Sequence, residues 1–311
     1  MKRFLLVLGV ATSLAGCSTV RVGYNQLDWL IPVWFQSYVP LTEEQEVRLR
    51  QHTDELIAWH CRTQLSRYAT WLRQVNADFQ AGINHTQLLG HYFALDRAWI
   101  ELAEAVIPRV ADIFAGLSDD QVGELLENME KSNAEYRKEY MDSSDEKMRR
   151  ENIKSATDGF SRWFGRLTPE QKAAIERWSH KLKFMRAERW ENRLRWQGEF
   201  RATLKLRHDR EKLTAGLRRL TLEWDQKYSD AYRRQYLANS ILVMDLIVEM
   251  WRTMTEVQKQ YMTRKTSRYA ADFDYLVCRP PVDQVAGLLL PGIRVAETLV
   301  KYDQPEVGDR Q

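Results

Sequence analysis

Through most of the chain apolar residues recur every three or four positions, the spacing of helices with one buried face. Leu56, Leu65, Tyr68, Leu72, Val75 and Phe79 form one such stripe, ending near Gly82. Leu88, Tyr92, Leu95, Trp99, Leu102, Val106, Val110 and Ile113 form the next, closed by Gly116, with a kink expected at the internal Pro108. A third helix is predicted over residues 118–140, broken by the polar stretch 142–145, and a fourth over 144–165. The longest uninterrupted pattern covers 168–208. Another spans 210–254 with a break near Ser229-Asp230, and a last helix covers 255–278, stopped by Arg279-Pro280-Pro281. A short apolar piece, 285–290, then leads to a polar tail.

The helix starts repeat. Leu41-Thr42-Glu43-Glu44-Gln45 returns as Leu117-Ser118-Asp119-Asp120-Gln121, as Leu167-Thr168-Pro169-Glu170-Gln171 and as Met254-Thr255-Glu256-Val257-Gln258. In each, the hydroxyl accepts from an orphan amide three residues on, and the Gln side chain reaches back to the cap amide. The intervening acids suit the positive end of the helix dipole, and Pro169 falls where no amide is needed. The first two boxes lie 76 positions apart and the last two 87, so each pair opens one half of a duplicated chain. Trp34-Phe35 and Trp163-Phe164 precede the two halves. The expected fold is all-α: a duplicated bundle of long antiparallel helices with capping-box starts.

Composition agrees, with 14 Gly, 8 Pro and 11 Trp in 311 residues. The beginning of the chain changes the picture. Met1-Lys2-Arg3 is followed by an apolar run from Phe4, ending Leu14-Ala15-Gly16-Cys17, too short to span a bilayer. This resembles the lipobox of bacterial lipoproteins. The resemblance implies cleavage before Cys17, a diacylglyceryl thioether on that thiol, and an acyl chain such as palmitate on the new amino terminus. Together these chains anchor stably where one would not. Ser18, where Asp would favour retention at the inner membrane, points to the periplasmic face of the outer membrane. The expected organisation is signal 1–16, anchor and aromatic linker helix 17–40, first half 41–143, second half 144–278, and apolar segment with tail 279–311.

In the linker, Leu27, Leu30, Ile31, Trp34, Phe35 and Tyr38 share a helical face. It is expected to pack on the bundle rather than lie in the membrane interface, because its polar side carries no Lys or Arg. Removing Lys2 and Arg3 from a chain of net charge +3 leaves the mature protein nearly neutral. Residues 172–219 nevertheless hold 15 basic and 6 acidic side chains. Their centre interleaves Arg186, Arg189, Trp190, Arg193, Arg195 and Trp196, the candidate client-binding set. In the cytosol this would suit nucleic acid; an exported protein has none to bind, leaving anionic headgroups or acidic stretches of unfolded chains. The competing expectation is internal compensation, since residues 101–158 hold 15 acidic and 8 basic side chains.

Cys61 and Cys278 remain after lipidation of Cys17, and in an oxidising compartment they form either a disulfide or two buried thiols. No catalytic set, metal-binding motif or cofactor loop is recognisable. Ser144-Asp145-Glu146-Lys147 matches S-x-x-K without its companion motifs, and Ser144 reads as a helix cap.

Thr42/Gln45 and Thr168/Gln171, and more loosely Ser118/Gln121 and Thr255/Gln258, resemble the LTxxQ motif of the Spy/CpxP periplasmic stress proteins, small helical proteins that include a chaperone. The opening Cys17-Ser18-Thr19-Val20-Arg21-Val22-Gly23-Tyr24-Asn25-Gln26-Leu27 is similar to that of a family of uncharacterised proteobacterial lipoproteins. The expected function is therefore non-enzymatic: chaperone-like binding of unfolded or anionic envelope clients, or, alternatively, docking of one specific envelope partner. Expected contacts are the membrane, through the anchor, and proteins, not nucleic acid; oligomeric state is open.

Overall fold

A computed structural model describes residues 19–278. The expected signal, Cys17, Ser18 and the segment from Arg279 onward lie outside the described residues. Within them are twelve α-helices and no strand. In order these are α1 (Thr19–Tyr24), α2 (Leu27–Gln36), α3 (Glu43–Thr63), α4 (Leu65–Ala81), α5 (His85–Ala115), α6 (Asp119–Tyr136), α7 (Asp145–Phe164), α8 (Pro169–Lys181), α9 (Arg186–Leu204), α10 (Arg210–Leu222), α11 (Asp230–Arg252) and α12 (Glu256–Leu276). A π-helical segment, Arg137–Met141, continues α6.

All four repeated boxes cap helices, at the starts of α3, α6, α8 and α12. They also pair. Gln45 and Gln121 donate to each other's side-chain oxygens at 3.0 and 2.7 Å. Each also donates to the backbone carbonyl five residues before its partner: Gln45 to Gly116 and Gln121 to Pro40, both at 2.7 Å. Gln171 and Gln258 repeat the arrangement at 3.0 and 2.9 Å, with Thr253 and Arg166 supplying the carbonyls at 3.2 and 2.8 Å. One glutamine thus closes its own cap and locks two helix starts together. The second clasp is buried, whereas the first is partly open.

A hydrophobic core packs beside each clasp, and each draws on both stretches of chain. The first joins Ala103, Ile107, Ala111, Phe114, Leu117 and Leu125 to Phe200 and Leu204 of α9 and Leu213, Leu217 and Leu220 of α10. The second joins Phe164, Leu167, Ile175, Leu246, Met250, Trp251 and Met262 to Val75 of α4 and the following Ile83. Helix α4 packs on α12, and α10 on α5. Gly216 lets α9 and α10 close up: a Cβ there would lie 2.5 Å from Thr203 Cγ2.

Three expectations are corrected. The pattern over 168–208 is two helices, parted at residues 182–185. Leu182 is extended and Met185 buried. Asn239 of α11 brackets Lys183, accepting from its amide at 3.3 Å and donating to its carbonyl at 2.9 Å, so a tertiary partner replaces the helical bonds. The first stripe also breaks, at buried Gln64, which donates to Glu101 at 3.2 Å. On α5 the buried side is His91, Ala103, Ile107, Ala111, Ile113 and Phe114; Tyr92, Leu95 and Trp99 are at least half exposed. Small Ala103 and Ala111 face the core shared with α10. Helix α5 runs on through Pro108.

Helix α1 is fixed to the body. Val20 and Tyr24 pack on Cys61, Leu65 and Leu276, and Arg21 donates to the buried Asp272 at 2.7 Å. Tyr24 Oη lies 3.0 Å from His60 Nδ1. Cys61 is fully buried, and Cys61 and Cys278 are both in disulfide linkage. No helix of the described residues is long and apolar enough to cross a membrane.

Candidate binding surface

Helix α9 carries all six candidate client-binding residues but divides them between two sides. Arg186, Arg189, Trp190 and Arg193 lie toward the end of α6, the π-helical segment and the start of α7. Arg186 pairs with Asp145 and donates to the Ser143 carbonyl. Arg193 donates to Asn133 Oδ1 at 2.7 Å and Ser132 Oγ at 3.0 Å, and its guanidinium lies 4.9 Å from the Tyr136 ring centre. Trp190 stacks on Tyr136, ring centres 6.0 Å apart. Arg189 is exposed. On the other side, Arg195 bonds Asn192 and approaches the Tyr228 ring, while Trp196 donates to the Leu220 carbonyl at 3.0 Å and stacks on Phe200.

Most of these cations therefore serve the fold. Beyond Arg186–Asp145, Arg201–Glu130, Arg207–Asp119, Arg210–Asp112 and Arg218–Glu104 join the basic stretch to the acidic one. Internal compensation accounts for much of the charge asymmetry. Asp112 shows its effect: a hydrogen bond from His52, with Arg210 and Arg48 nearby, holds its carboxyl below the usual range.

A cavity of about 380 Å³ opens beside α9, lined among others by Tyr136, Trp178, Phe184, Arg186, Arg189 and Tyr236. It lies against the π-helical segment, through Tyr140, a feature frequent at functional sites. Tyr236 links this cavity to a second surface. On α5, Leu89, Tyr92 and Phe93 are exposed, and on α11 so are Tyr236, Leu237 and Ile241. His85 of α5 bonds Asp245 of α11 at 2.8 Å, tying the two helices together. The Tyr92 phenol is pushed up by burial and by Asp96, Tyr236 and Asp225. Through the turn before α11 and into that helix, the rings of Trp224, Tyr228, Tyr232 and Tyr236 follow one another at 4.5–6.3 Å. Burial, with its tyrosine neighbours and Asp225, raises the Tyr228 phenol to about 12, so it stays neutral at physiological pH.

Periodicity alone assigns Tyr92 and Trp99 to the core. The signal for this surface is an excess: α5 carries apolar residues on more sides than one neighbour can cover, and Tyr92-Phe93 and Trp99-Ile100 are adjacent pairs. Among the described residues no group of three or more His, Cys, Asp or Glu is placed to hold a metal. Ser144 caps α7, its hydroxyl accepting from the Lys147 amide at 3.2 Å.

Residues 37–233 match the model of a family of unknown function, DUF6279. No curated protein and no solved structure matches the chain.

Proposed function

The chain belongs to DUF6279, a family of unknown function, and we propose from its geometry that it is a non-enzymatic envelope lipoprotein that holds extended segments of other proteins on the α5–α11 surface. The observation that carries this reading is the exposure of Tyr92 and Phe93, both 59%, beside Tyr236 at 45% and Leu237 at 60%. Contiguous exposed apolar surface marks interaction sites, and aromatic rings offer large contact area with few torsions to restrain. Arg189 at the adjoining cavity gives acidic segments a charged partner, but a secondary one, since Arg186 and Arg193 are engaged internally.

Lipidation at Cys17, with a diacylglyceryl group and an N-acyl chain, and placement on the periplasmic face of the outer membrane belong to the same proposal. They rest on the lipobox and Ser18. Duplication does so too, supported by the two glutamine clasps, which join the boxes within each expected half.

The test uses soluble Cys17→Ser protein at near-stoichiometric ratio to several unrelated denatured proteins. Broad suppression of their aggregation is expected, falling severalfold in Tyr92→Ser/Leu237→Ser and less in Arg189→Glu, with weak dependence on salt. No suppression of any client would sink this reading and leave docking of one specific envelope partner as the better one.

A further inference from the structure

Helix α2 has one side on the bundle and one side bare. Phe35 packs on the first core, where its ring lies 6.2 Å from that of Phe114, and Pro32 is buried. Opposite, Trp29 is 55% exposed, Leu30 40%, Val33 53% and Trp34 62%. At 3.6 residues per turn these four occupy an arc of roughly 140°. Tyr38 extends the bare face, its ring 5.1 Å from Trp34. The only charge in the helix is Asp28.

The position of this face relative to Cys17 decides what can cover it. Cys17 precedes Thr19, the first residue of α1, by two peptide steps, at most about 7 Å of chain. Helix α1 is no loose tether: the Arg21–Asp272 ion pair, the Tyr24–His60 contact and the packing of Val20 hold it to the body. Helix α1 rises about 9 Å and α2 about 15 Å, with two residues between them. A lipid on Cys17 would therefore hold the body close against the bilayer, with α2 the next element along the chain. Tryptophan and tyrosine are the side chains that favour the headgroup level. Ten residues are too few to span. The lack of Lys and Arg, which argues against recruitment from solution, is no obstacle for a helix already delivered by an anchor.

We propose that the Trp29, Leu30, Val33 and Trp34 face of α2 inserts into the headgroup–acyl boundary of the membrane that carries the Cys17 lipid, giving the protein a second contact and one fixed orientation. This rests on the lipoprotein reading above. The ligand is the bilayer interface itself, without selection for anionic headgroups.

The experiment places full-length protein, purified with its native amino terminus, in phosphatidylcholine vesicles containing lipids brominated near the headgroup, which quench tryptophan on contact. The amino-terminal peptide is weighed in parallel. Trp29→Phe/Trp34→Phe removes two of the chain's 11 tryptophans while keeping the face apolar. Quenching is expected to fall by roughly half or more in that variant, because the rest of the tryptophans lie off this face. Unchanged quenching in a protein whose peptide mass shows acylation would overturn the proposal and leave the lipoprotein reading standing. Should the peptide carry no lipid, the lipoprotein reading fails. The face then has no anchor to deliver it, and the proposal is overturned together with that reading. Self-association of Cys17→Ser protein that Trp29→Glu/Trp34→Glu abolishes would also overturn it, assigning the face to a second copy of the chain.

Discussion

At the scale of single residues, the repeated glutamines matter most. Each boxed Gln accepts from its own cap amide and donates to a helix start 76 or 87 residues away. The two clasps differ in burial: Gln171 is fully buried and Gln258 4% exposed, while Gln45 and Gln121 are half-buried. Gln171→Ala strips the Thr168 amide and the Thr253 carbonyl of their partner in a dry site, and a loss of about 2–4 kcal/mol is expected. Gln45→Ala, where water can replace the amide, should cost about 1 kcal/mol. Urea unfolding of both variants checks the difference; equal losses would show that burial of the second clasp carries no weight.

Among elements, α1 shows how a short helix is held. Six residues do not form a stable helix alone, so its docking depends on Arg21, Val20 and Tyr24. Burial lowers the affinity of His60 for a proton, and burial with Tyr68 nearby raises the Tyr24 phenol to about 12, so it stays protonated beside the imidazole. A His with a depressed folded value contributes full stability above its unfolded value near 6.5, and that contribution declines as pH falls below it. The urea midpoint should therefore drop between pH 8 and pH 5.5, and His60→Gln should flatten that part of the profile. A slope unchanged by the substitution would assign the pH dependence elsewhere. Local rules served well for elements such as α7, where Ser144 starts the helix and Gly165, at φ +77°, ends it. They failed at residues 182–185, because nothing within a few positions of Lys183 encodes the Asn239 side chain that accepts its amide.

For the whole molecule, the cores are built by exchange. Helices α9 and α10 complete the core beside the first clasp, and α4 contributes to the one beside the second. The stretches 41–143 and 144–278 are thus not independent folding units. Without Phe200, Leu204, Leu213, Leu217 and Leu220, the first core loses five large apolar side chains. At about 1.5–3 kcal/mol each, they amount to the stability of an ordinary domain. Residues 41–143 expressed alone should be partly helical, melt without a cooperative transition, and gain one on mixing with 144–278. A sharp melt of the isolated stretch, followed by circular dichroism, would contradict the exchange.

The helical class, the four capped starts and the break after Met141 are legible in the residues alone, since a cap or a glycine stop acts within three or four residues of its own position. The sequence also holds the spacing that pairs Gln45 with Gln121 and Gln171 with Gln258, though not the bonds between them. Packing between distant elements sets which side of α5 is buried, where the pattern over 168–208 breaks, and that one face of α2 packs while Trp29 and Trp34 remain bare. Those outcomes depend on which element comes alongside. A periodic stripe says that a helix has an apolar side, but it cannot say whether the neighbour is wide enough to cover it.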